Sequence, residues 1–181
     1  MTSRSAVVDR TDAGLPPWAE VTGKRRAHIE RVVALLDRWA DGMRTPAAER
    51  GRWLRAAYLH DALRDARIAR DGGDALVHGP LAADRAAREG ETDLGVLDAV
   101  RYHTVGYAGW DDVGRMLYLA DFLEPGRSFG AEERRALAER VPVERDAVLK
   151  EVARWRIEWV MRSGWPLVPE TVAFWNSLAS R

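Results

Sequence analysis

The spacing of apolar residues is the feature that most constrains how this chain folds. From Lys24 onward, apolar side chains recur every three or four positions, which is the period of one face of a helix. No stretch alternates apolar and polar residues for the length of a strand, and no internal repeat is present. The sequence therefore predicts an all-α fold. The inward face of its first helix carries His28, Val32, Leu35, Leu36 and Trp39.

Local signals predict where the helices begin and end. The first is expected to stop at Gly42, and the second to begin at the capping Thr45 and Pro46. The inward stripe of the second helix is predicted to be Trp53, Ala57, His60 and Arg64. Later helices are expected from Pro80 to near Gly90, from about Asp93, in "VGRMLYLADFLE", in "AEERRALAERV", in "ERDAVLKEVARWRIEWVMRSG" and in "PETVAFWNSLASR".

Length and composition suit one domain. The chain has 181 residues, of which 46% are hydrophobic, enough for a substantial core. We expect the domain to span residues 23–181, after a flexible lead-in of residues 1–22 whose Trp18 packs onto it. Five other tryptophans are interpreted as core residues: Trp39, Trp53, Trp155, Trp159 and Trp175.

Charge and cysteine content exclude several classes of function. The 28 basic and 28 acidic residues give zero net charge, which argues against a nucleic-acid or anionic-membrane partner. The absence of Cys excludes disulfides, thiolate-bound zinc and thiol catalysis. No apolar run has the length of a signal peptide core or a membrane span. A cytoplasmic protein is therefore expected.

All four histidines occupy positions where a helix face or a helix start would turn them inward. They are His28, His60, His78 and His103. A single histidine on an inward face is usually a satisfied core residue, but four of four is harder to explain in that way.

Asp121 is a second unusual residue, because apolar neighbours surround it in "MLYLADFLE". A buried carboxylate without a partner is costly, so it needs a metal ion, a hydrogen-bond cage or an arginine. Arg127 and Arg115 are the two arginines that the sequence offers for such a pair.

The dipeptide His60-Asp61 supplies two further candidate ligands that point in different directions. One can bind a single ion while the carboxylate, having two oxygens, bridges to another. Imidazole and carboxylate suit first-row divalent metals, and the chain has no thiolate to compete. Four of the candidates make a mononuclear site, and two further histidines complete a dinuclear one.

These residues occur in an order that resembles a known family. His…His-Asp…Asp is similar to the signature of the HD-domain metal-dependent phosphohydrolases, and in particular of the YqeK-like symmetrical bis(5′-nucleosyl)-tetraphosphatases. The resemblance covers roughly residues 24–178 and rests on "RRAHIERV", "AAYLHDALRDA", "VHGPLAA", "AVRYHTVGY", "YLADFLEPGRSF" and "PETVAFWN". It implies a helical bundle whose metal site lies in the core between helices.

The resemblance also implies roles for individual residues. His28, His60, Asp61 and Asp121 would hold one metal, and Asp61 would bridge to a second held by His78 and His103. The metal implied is iron, with manganese or cobalt as substitutes. Asp61 and Arg64 are the candidate catalytic residues, with Arg64 standing where relatives commonly have lysine. The candidate substrate contacts are Arg64, Arg127, Thr104 and Gly106.

The function implied is symmetrical hydrolysis of diadenosine tetraphosphate to two ADP, by attack of a metal-bound hydroxide on phosphorus. The expected partner is a nucleotide substrate, with a possible homodimer. The alternative enzyme is an HD phosphohydrolase for nucleoside monophosphates, cyclic nucleotides or guanosine tetraphosphate. A non-catalytic nucleotide sensor and a purely structural bundle are less favoured. In the loop after His103, Tyr107 and Trp110 could either stack on a base or pack against the body.

Overall fold

The computed structural model describes residues 14–67 and 76–180, and in these residues it confirms the all-α prediction. They form seven helices and no strand. The helices are α1 (Gly23–Gly42), α2 (Ala47–Leu59), α3 (His78–Arg88), α4 (Leu94–Tyr102), α5 (Asp112–Leu123), α6 (Ala131–Arg162) and α7 (Pro169–Ala179). None of them is both long and apolar enough to cross a membrane.

Helix α5 lies at the centre of the bundle and contacts α1, α2, α4 and α6. Its sequence DVGRMLYLADFL is apolar on nearly every side, which is typical of a helix enclosed by others. Nine of its twelve residues are buried, and Asp121 is the only acidic one among those nine. The periphery consists of α3 packed on α4, and of α7 packed on α6.

Two acidic N-caps fix the start of the helices that lead to the centre. The carboxylate of Asp93 accepts from the backbone N–H of Val96 at the start of α4, and that of Asp111 accepts from Val113 at the start of α5. Arg52 of α2 binds both caps, at 2.7 Å to each carboxylate. One guanidinium therefore ties the beginnings of α4 and α5 to α2.

Helix α1 ends at Gly42 as predicted, with Met43 as its C-cap, and the turn after it is made by Arg44, whose φ is 53°. Two other predictions at helix ends are corrected. Thr45 does not cap α2, since Pro46 is its N-cap and makes no side-chain hydrogen bond. Helix α2 ends at Leu59, so Arg64 lies beyond it in a turn.

The two helices predicted after residue 131 are both present, and they meet at a kink within α6. The kink lies at Glu144, with φ −124° and ψ 34°, two residues after Pro142. Proline removes a helical hydrogen bond and its ring clashes with the preceding turn, which explains the break between the two helical segments. Val141 before the kink and Val148 after it are both fully buried, so both segments pack against the core.

The part of the lead-in that the structure describes, residues 14–22, is held to the body. The backbone N–H of Glu20 donates to the carbonyl of Ala62, and Thr22 donates to the carboxylate of Asp65. The guanidinium of Arg85 lies 6.0 Å from the ring centroid of Trp18. The remainder of the predicted flexible segment, residues 1–13, lies outside the described residues.

Five tryptophans were predicted to be core residues, and for Trp159 this prediction is wrong. Trp39 and Trp53 are buried and Trp155 and Trp175 are half-buried against the core, but Trp159 is 54% exposed. It lies near the end of α6, where its ring contacts that of Trp165, which is itself exposed.

Candidate metal centre

The six predicted ligand side chains meet in one buried region, although they come from distant parts of the chain. His28 belongs to α1, His78 is the first residue of α3, and Asp121 belongs to α5. His60 is the C-cap of α2, followed directly by Asp61, and His103 is the C-cap of α4. Every one of the six residues is at most 7% exposed.

Helix ends orient two of the histidines in the same way. Nδ1 of His60 lies 2.7 Å from the carbonyl of Ala57, and Nδ1 of His103 lies 2.8 Å from the carbonyl of Val100. Each ring thus donates Nδ1–H to a carbonyl three residues earlier, at the end of a helix where carbonyls lack backbone partners. The lone pair of Nε2 is then directed to the centre, as metal-binding histidines require.

The first group of ligand atoms consists of His28, His60, Asp121 and one oxygen of Asp61. Nε2 of His28 lies 3.4 Å from Nε2 of His60 and 3.2 Å from Oδ1 of Asp121. Oδ2 of Asp61 lies 3.6 Å from Nε2 of both histidines. Ligands about 2.1 Å from one ion are separated by about 3.0–3.4 Å, so these residues fit a single metal ion.

The second group faces the other oxygen of Asp61. Oδ1 of Asp61 lies 3.1 Å from Nε2 of His78 and 3.6 Å from Nε2 of His103, and the two imidazole nitrogens are 3.0 Å apart. The carboxylate of Asp61 therefore stands between two sets of donors, with one oxygen toward each. His60, Asp61 and His103, like His28, His60 and Asp121, form a group that could hold a metal ion.

Burial and charge make the region attractive to cations. Burial alone would raise the pKa of Asp61, but the surrounding histidines outweigh burial and lower that pKa well below its ordinary value. Burial also opposes ionisation of Asp121, yet His28 and two arginines lower its pKa well below the ordinary range. Both carboxylates are therefore ionised at neutral pH.

The histidines of the first group differ in charge. Burial lowers the pKa of His60 to about 4, so its ring is neutral at neutral pH and has a free lone pair. Burial also disfavours charge on His28, but hydrogen bonds to Asp121 and Glu124 outweigh this effect and raise its pKa to about 9. His28 must therefore lose a proton before it can bind a metal ion.

Glu124 is a site residue that the sequence reasoning missed. Its carboxylate accepts from Nδ1 of His28 at 3.1 Å, from the guanidinium of Arg31, and from the backbone N–H of Gly126 at 2.6 Å. Burial would raise its pKa, but these donors lower it to about 2. The available signal was a second acidic residue one helical turn after Asp121 in the same apolar segment.

Three arginines bind the carboxylates of Asp61 and Asp121. Arg127 donates to Oδ1 of Asp121 at 2.8 Å, which is the pair that the sequence suggested. The second partner of Asp121 is Arg156, which was missed, and no ion pair joins Asp121 to Arg115 within the described part of the chain. Arg25 of α1 donates to Oδ2 of Asp61 at 2.6 Å.

Arg64 contacts the second group directly. Its Nη1 lies 2.9 Å from Nδ1 of His78, and the guanidinium is the only possible donor of the two when that ring is neutral. In this tautomer Nε2 of His78 carries the proton and points to Asp61. Binding of a metal by Nε2 therefore requires that Arg64 release Nδ1.

The remaining predicted substrate contacts, Thr104 and Gly106, lie in the loop after His103. The hydroxyl of Thr104 lies 3.2 Å from Nε2 of His103, beside the second group. Gly106 has φ +87° and lies against Phe174, where a Cβ atom would approach the phenyl ring to 2.3 Å. Its position is explained by packing, and its contact with substrate stays a prediction.

The aromatic residues of this loop pack against the body. Trp110 is 4% exposed and contacts the rings of Tyr118 and Phe174. Tyr107 stacks on Tyr102, with ring centroids 4.5 Å apart. The packing alternative is therefore the one that the structure supports for both residues.

The chain belongs to the HD domain family, whose model matches residues 25–151. It is 35% identical over 112 residues to the symmetrical bis(5′-nucleosyl)-tetraphosphatase of Bacillus subtilis (strain 168), and 30% identical over 107 residues to that of Halalkalibacterium halodurans. These matches cover 61% and 59% of this chain, and only 59% and 56% of the length of the two relatives.

A solved structure has the same fold. It is a predicted HD superfamily hydrolase involved in NAD metabolism from Clostridium acetobutylicum, with a TM-score of 0.74. The similarity covers 89% of this chain and 92% of the other at 24% identity. The all-α HD-domain fold predicted from the sequence is confirmed, with its cluster of candidate ligands between helices in the core.

Proposed function

We propose that this protein is a metal-dependent hydrolase that cleaves diadenosine tetraphosphate, or a related dinucleoside polyphosphate, symmetrically into two nucleoside diphosphates. The observation that carries the proposal is the placement of Asp61, whose two oxygens face two separate groups of imidazole nitrogens. The relatives from Bacillus subtilis and Halalkalibacterium halodurans are named for that activity, which supports the choice of substrate.

The donor set supports a pair of first-row divalent ions. Four imidazoles and two carboxylates, without any thiolate, suit iron, manganese or cobalt, and we propose iron as the native metal. His28, His60, Asp61 and Asp121 would hold one ion, and Asp61, His78 and His103 the other. Such ions supply Lewis-acid charge at phosphate oxygens and lower the pKa of water enough for attack near neutral pH.

The surrounding arginines would bind and orient the phosphates. Arg127 is 41% exposed and stands on the solvent side of Asp121, where a phosphate can reach its guanidinium. A bound phosphate would replace His78 as the hydrogen-bond partner of Arg64. Nδ1 of His78 would then be released from its contact with the guanidinium. The hydroxyl of Thr104 is close enough to His103 to contact the same phosphate. Gly106 is proposed as a backbone contact of the substrate.

The chain's own acids and bases suit an anhydride substrate. A departing nucleoside diphosphate is weakly basic and needs little protonation, so no histidine outside the candidate ligand set is required. All four histidines of the sequence lie in that set. The residues would therefore act chiefly by holding charge in place while the phosphorus–oxygen bond of the anhydride breaks.

The direct test is to measure bound metal and to separate the products formed from diadenosine tetraphosphate. We expect about two ions per chain and ADP as the only nucleotide product. Asp61→Ala should abolish metal binding and ADP formation, whereas Asp146→Ala, at an exposed position of α6, should leave metal binding and ADP formation intact. ATP together with AMP would contradict symmetrical cleavage. Metal binding without turnover would remove the substrate assignment and favour another nucleotide.

We further propose that the HD domain and the C-terminal helices form one unit over residues 23–181. The hydroxyl of Thr171 in α7 donates to the carbonyl of Val105, and Phe174 of α7 packs on Trp110, which supports this boundary. A homodimer stays a prediction, and the mass in solution by light scattering would test it.

A further inference from the structure

Arg156 lies outside the part of the chain that matches the HD domain family, yet it reaches the metal centre. The match ends at residue 151, and Arg156 follows on the last third of α6. Its side chain is only 16% exposed. Nothing in the HD-domain signature therefore predicts its presence beside Asp121.

The guanidinium of Arg156 joins the two ligand groups. Nη2 donates to Oδ2 of Asp121 at 2.8 Å, and Asp121 belongs to the first group. Nη1 lies 3.3 Å from the carbonyls of His103 and Thr104, and His103 belongs to the second. The planar group is also held over the ring of Tyr118, with 4.2 Å between its central carbon and the ring centroid.

Arg127 binds the same carboxylate in a different way. It donates to Oδ1 of Asp121, the oxygen that lies 3.2 Å from Nε2 of His28, and its side chain is 41% exposed. Arg156 takes only Oδ2, so it leaves Oδ1 directed toward the histidines of the first group. The buried arginine thus fixes the carboxylate, while the exposed one is accessible to a ligand.

We propose that Arg156 is a positioning residue: it holds Asp121 and the turn at His103 in register, so that both ions can bind at their proper separation. This inference rests on the metal centre of the proposed function. A lysine could not replace Arg156, because a single ammonium cannot donate in one plane to Asp121 and to two carbonyls while lying over Tyr118.

The test compares Arg156→Lys with Arg127→Lys, using Mn²⁺ alone as the probe. Metal-free proteins are titrated with Mn²⁺ by calorimetry, and spin coupling between the two bound ions is followed by electron paramagnetic resonance. We expect Arg156→Lys to lower the affinity for at least one of the two Mn²⁺ ions about 10–100-fold and to change the spin coupling between them. Arg127→Lys should bind both ions as the wild type does, but should have a higher KM.

Arg154→Lys, at a position of α6 that is 64% exposed, is the matched control and should behave as wild type in every measurement. Arg156→Met keeps the aliphatic stem over Tyr118, and should repeat the loss of metal affinity without losing the helical circular dichroism. Wild-type Mn²⁺ affinity and coupling in Arg156→Lys would overturn the proposal, as would unfolding of both Arg156 variants, which would indicate a purely structural role.

The two proposals fail separately. A wild-type protein that binds two Mn²⁺ ions but leaves diadenosine tetraphosphate intact would contradict the proposed substrate, and the Mn²⁺ titrations would still decide the role of Arg156. Conversely, an active wild-type enzyme whose Arg156→Lys variant binds Mn²⁺ normally would contradict only the positioning role.

Discussion

At the scale of single residues, side chains on one face of α1 contact three different buried carboxylates. Arg25 and Arg31 stand three residues before and after His28, so the three side chains follow one another along the same side of the helix. Arg25 binds Asp61, Arg31 binds Glu124, and His28 contacts Asp121 and Glu124. Each buried carboxylate therefore has a cationic or hydrogen-bonding partner, which burial of charge requires.

Glu124→Gln should weaken metal binding about 10–100-fold, because the variant loses the charged acceptor that orients Nδ1 of His28. Mn²⁺ titration of the metal-free variant would measure the effect. Glu132→Gln, on an exposed part of α6, is the control and should not change the affinity. Unchanged affinity in Glu124→Gln would show that His28 does not depend on this partner.

At the scale of helices, the ends determine where the candidate ligands point. His60 and His103 are C-caps whose rings turn back to the carbonyl three residues earlier, whereas Asp93 and Asp111 cap the starts of α4 and α5 under Arg52. The aspartate N-caps thus fix where helices α4 and α5 begin, and the histidine C-caps direct their rings toward the candidate metal centre.

The cap at Asp93 predicts a dependence of stability on pH. Hydrogen bonds from Arg52 lower the pKa of Asp93 below its ordinary 3.8, against a smaller opposing effect of burial. A carboxylate with a lowered pKa stabilises the folded state above its ordinary pKa and loses that contribution as pH falls through the lowered value. Asp93→Asn keeps a capping side chain but not the charge.

We therefore expect Asp93→Asn to lower the free energy of unfolding by about 0.5–1 kcal/mol at neutral pH, and by less at about pH 3, which is below the ordinary pKa of 3.8. Urea denaturation of both proteins at the two pH values measures the difference. If the difference is the same at both values, the charge of Asp93 does not contribute to stability.

The contact between α3 and α4 predicts the effect of a single methyl group. A Cβ atom on Gly79 would lie 2.8 Å from the carbonyl oxygen of Arg101 and 2.9 Å from that of Val100. Because backbone cannot yield as a side chain can, Gly79→Ala should destabilise the protein by about 1–3 kcal/mol and disturb His78 and His103. The expected readouts are a lower Tm and weaker Mn²⁺ binding.

Gly51→Ala is the matched control for Gly79→Ala. Its Cβ atom would meet nothing closer than the guanidinium of Arg55 at 3.8 Å, and alanine favours the helix by about 0.5–1 kcal/mol. It should therefore leave Tm unchanged or raise it. A normal Tm for Gly79→Ala would show that α3 and α4 can separate freely.

At the scale of the whole molecule, the bundle encloses charge as well as apolar surface. The apolar core is continuous through α1, α2, α4, α5 and α6, and six polar side chains of the candidate metal centre are buried within the same bundle. Ligands that bind only the folded state stabilise it by mass action, so metal binding and folding are coupled here.

Mn²⁺ at about 100 times its dissociation constant should stabilise the protein by about 2.7 kcal/mol per site. For a chain of this size, that corresponds to a rise in Tm of about 5–10 °C. Differential scanning calorimetry with and without Mn²⁺ would measure it, and a chelator should reverse it. The rise should be absent in Asp61→Ala, and a wild-type protein without any rise would contradict the coupling.

The sequence by itself determined the helical class and the candidate ligands. Spacing of three and four residues reports which face of a helix is buried, and that information is local, so His28, His60, His78, His103 and Asp121 could be assigned inward positions. Local pattern was also enough to find the family, because the ligand order is carried along the chain.

Only the tertiary structure decided which partners neutralise the buried acids. Arg25 meets Asp61 from 36 residues away, and Arg156 meets Asp121 from 35 residues away. Periodicity does not report such pairings, because they depend on how two helices are placed against each other. The exposure of Trp159 was likewise decided by the tertiary structure, because the local pattern of a helix does not report whether another helix covers a given face.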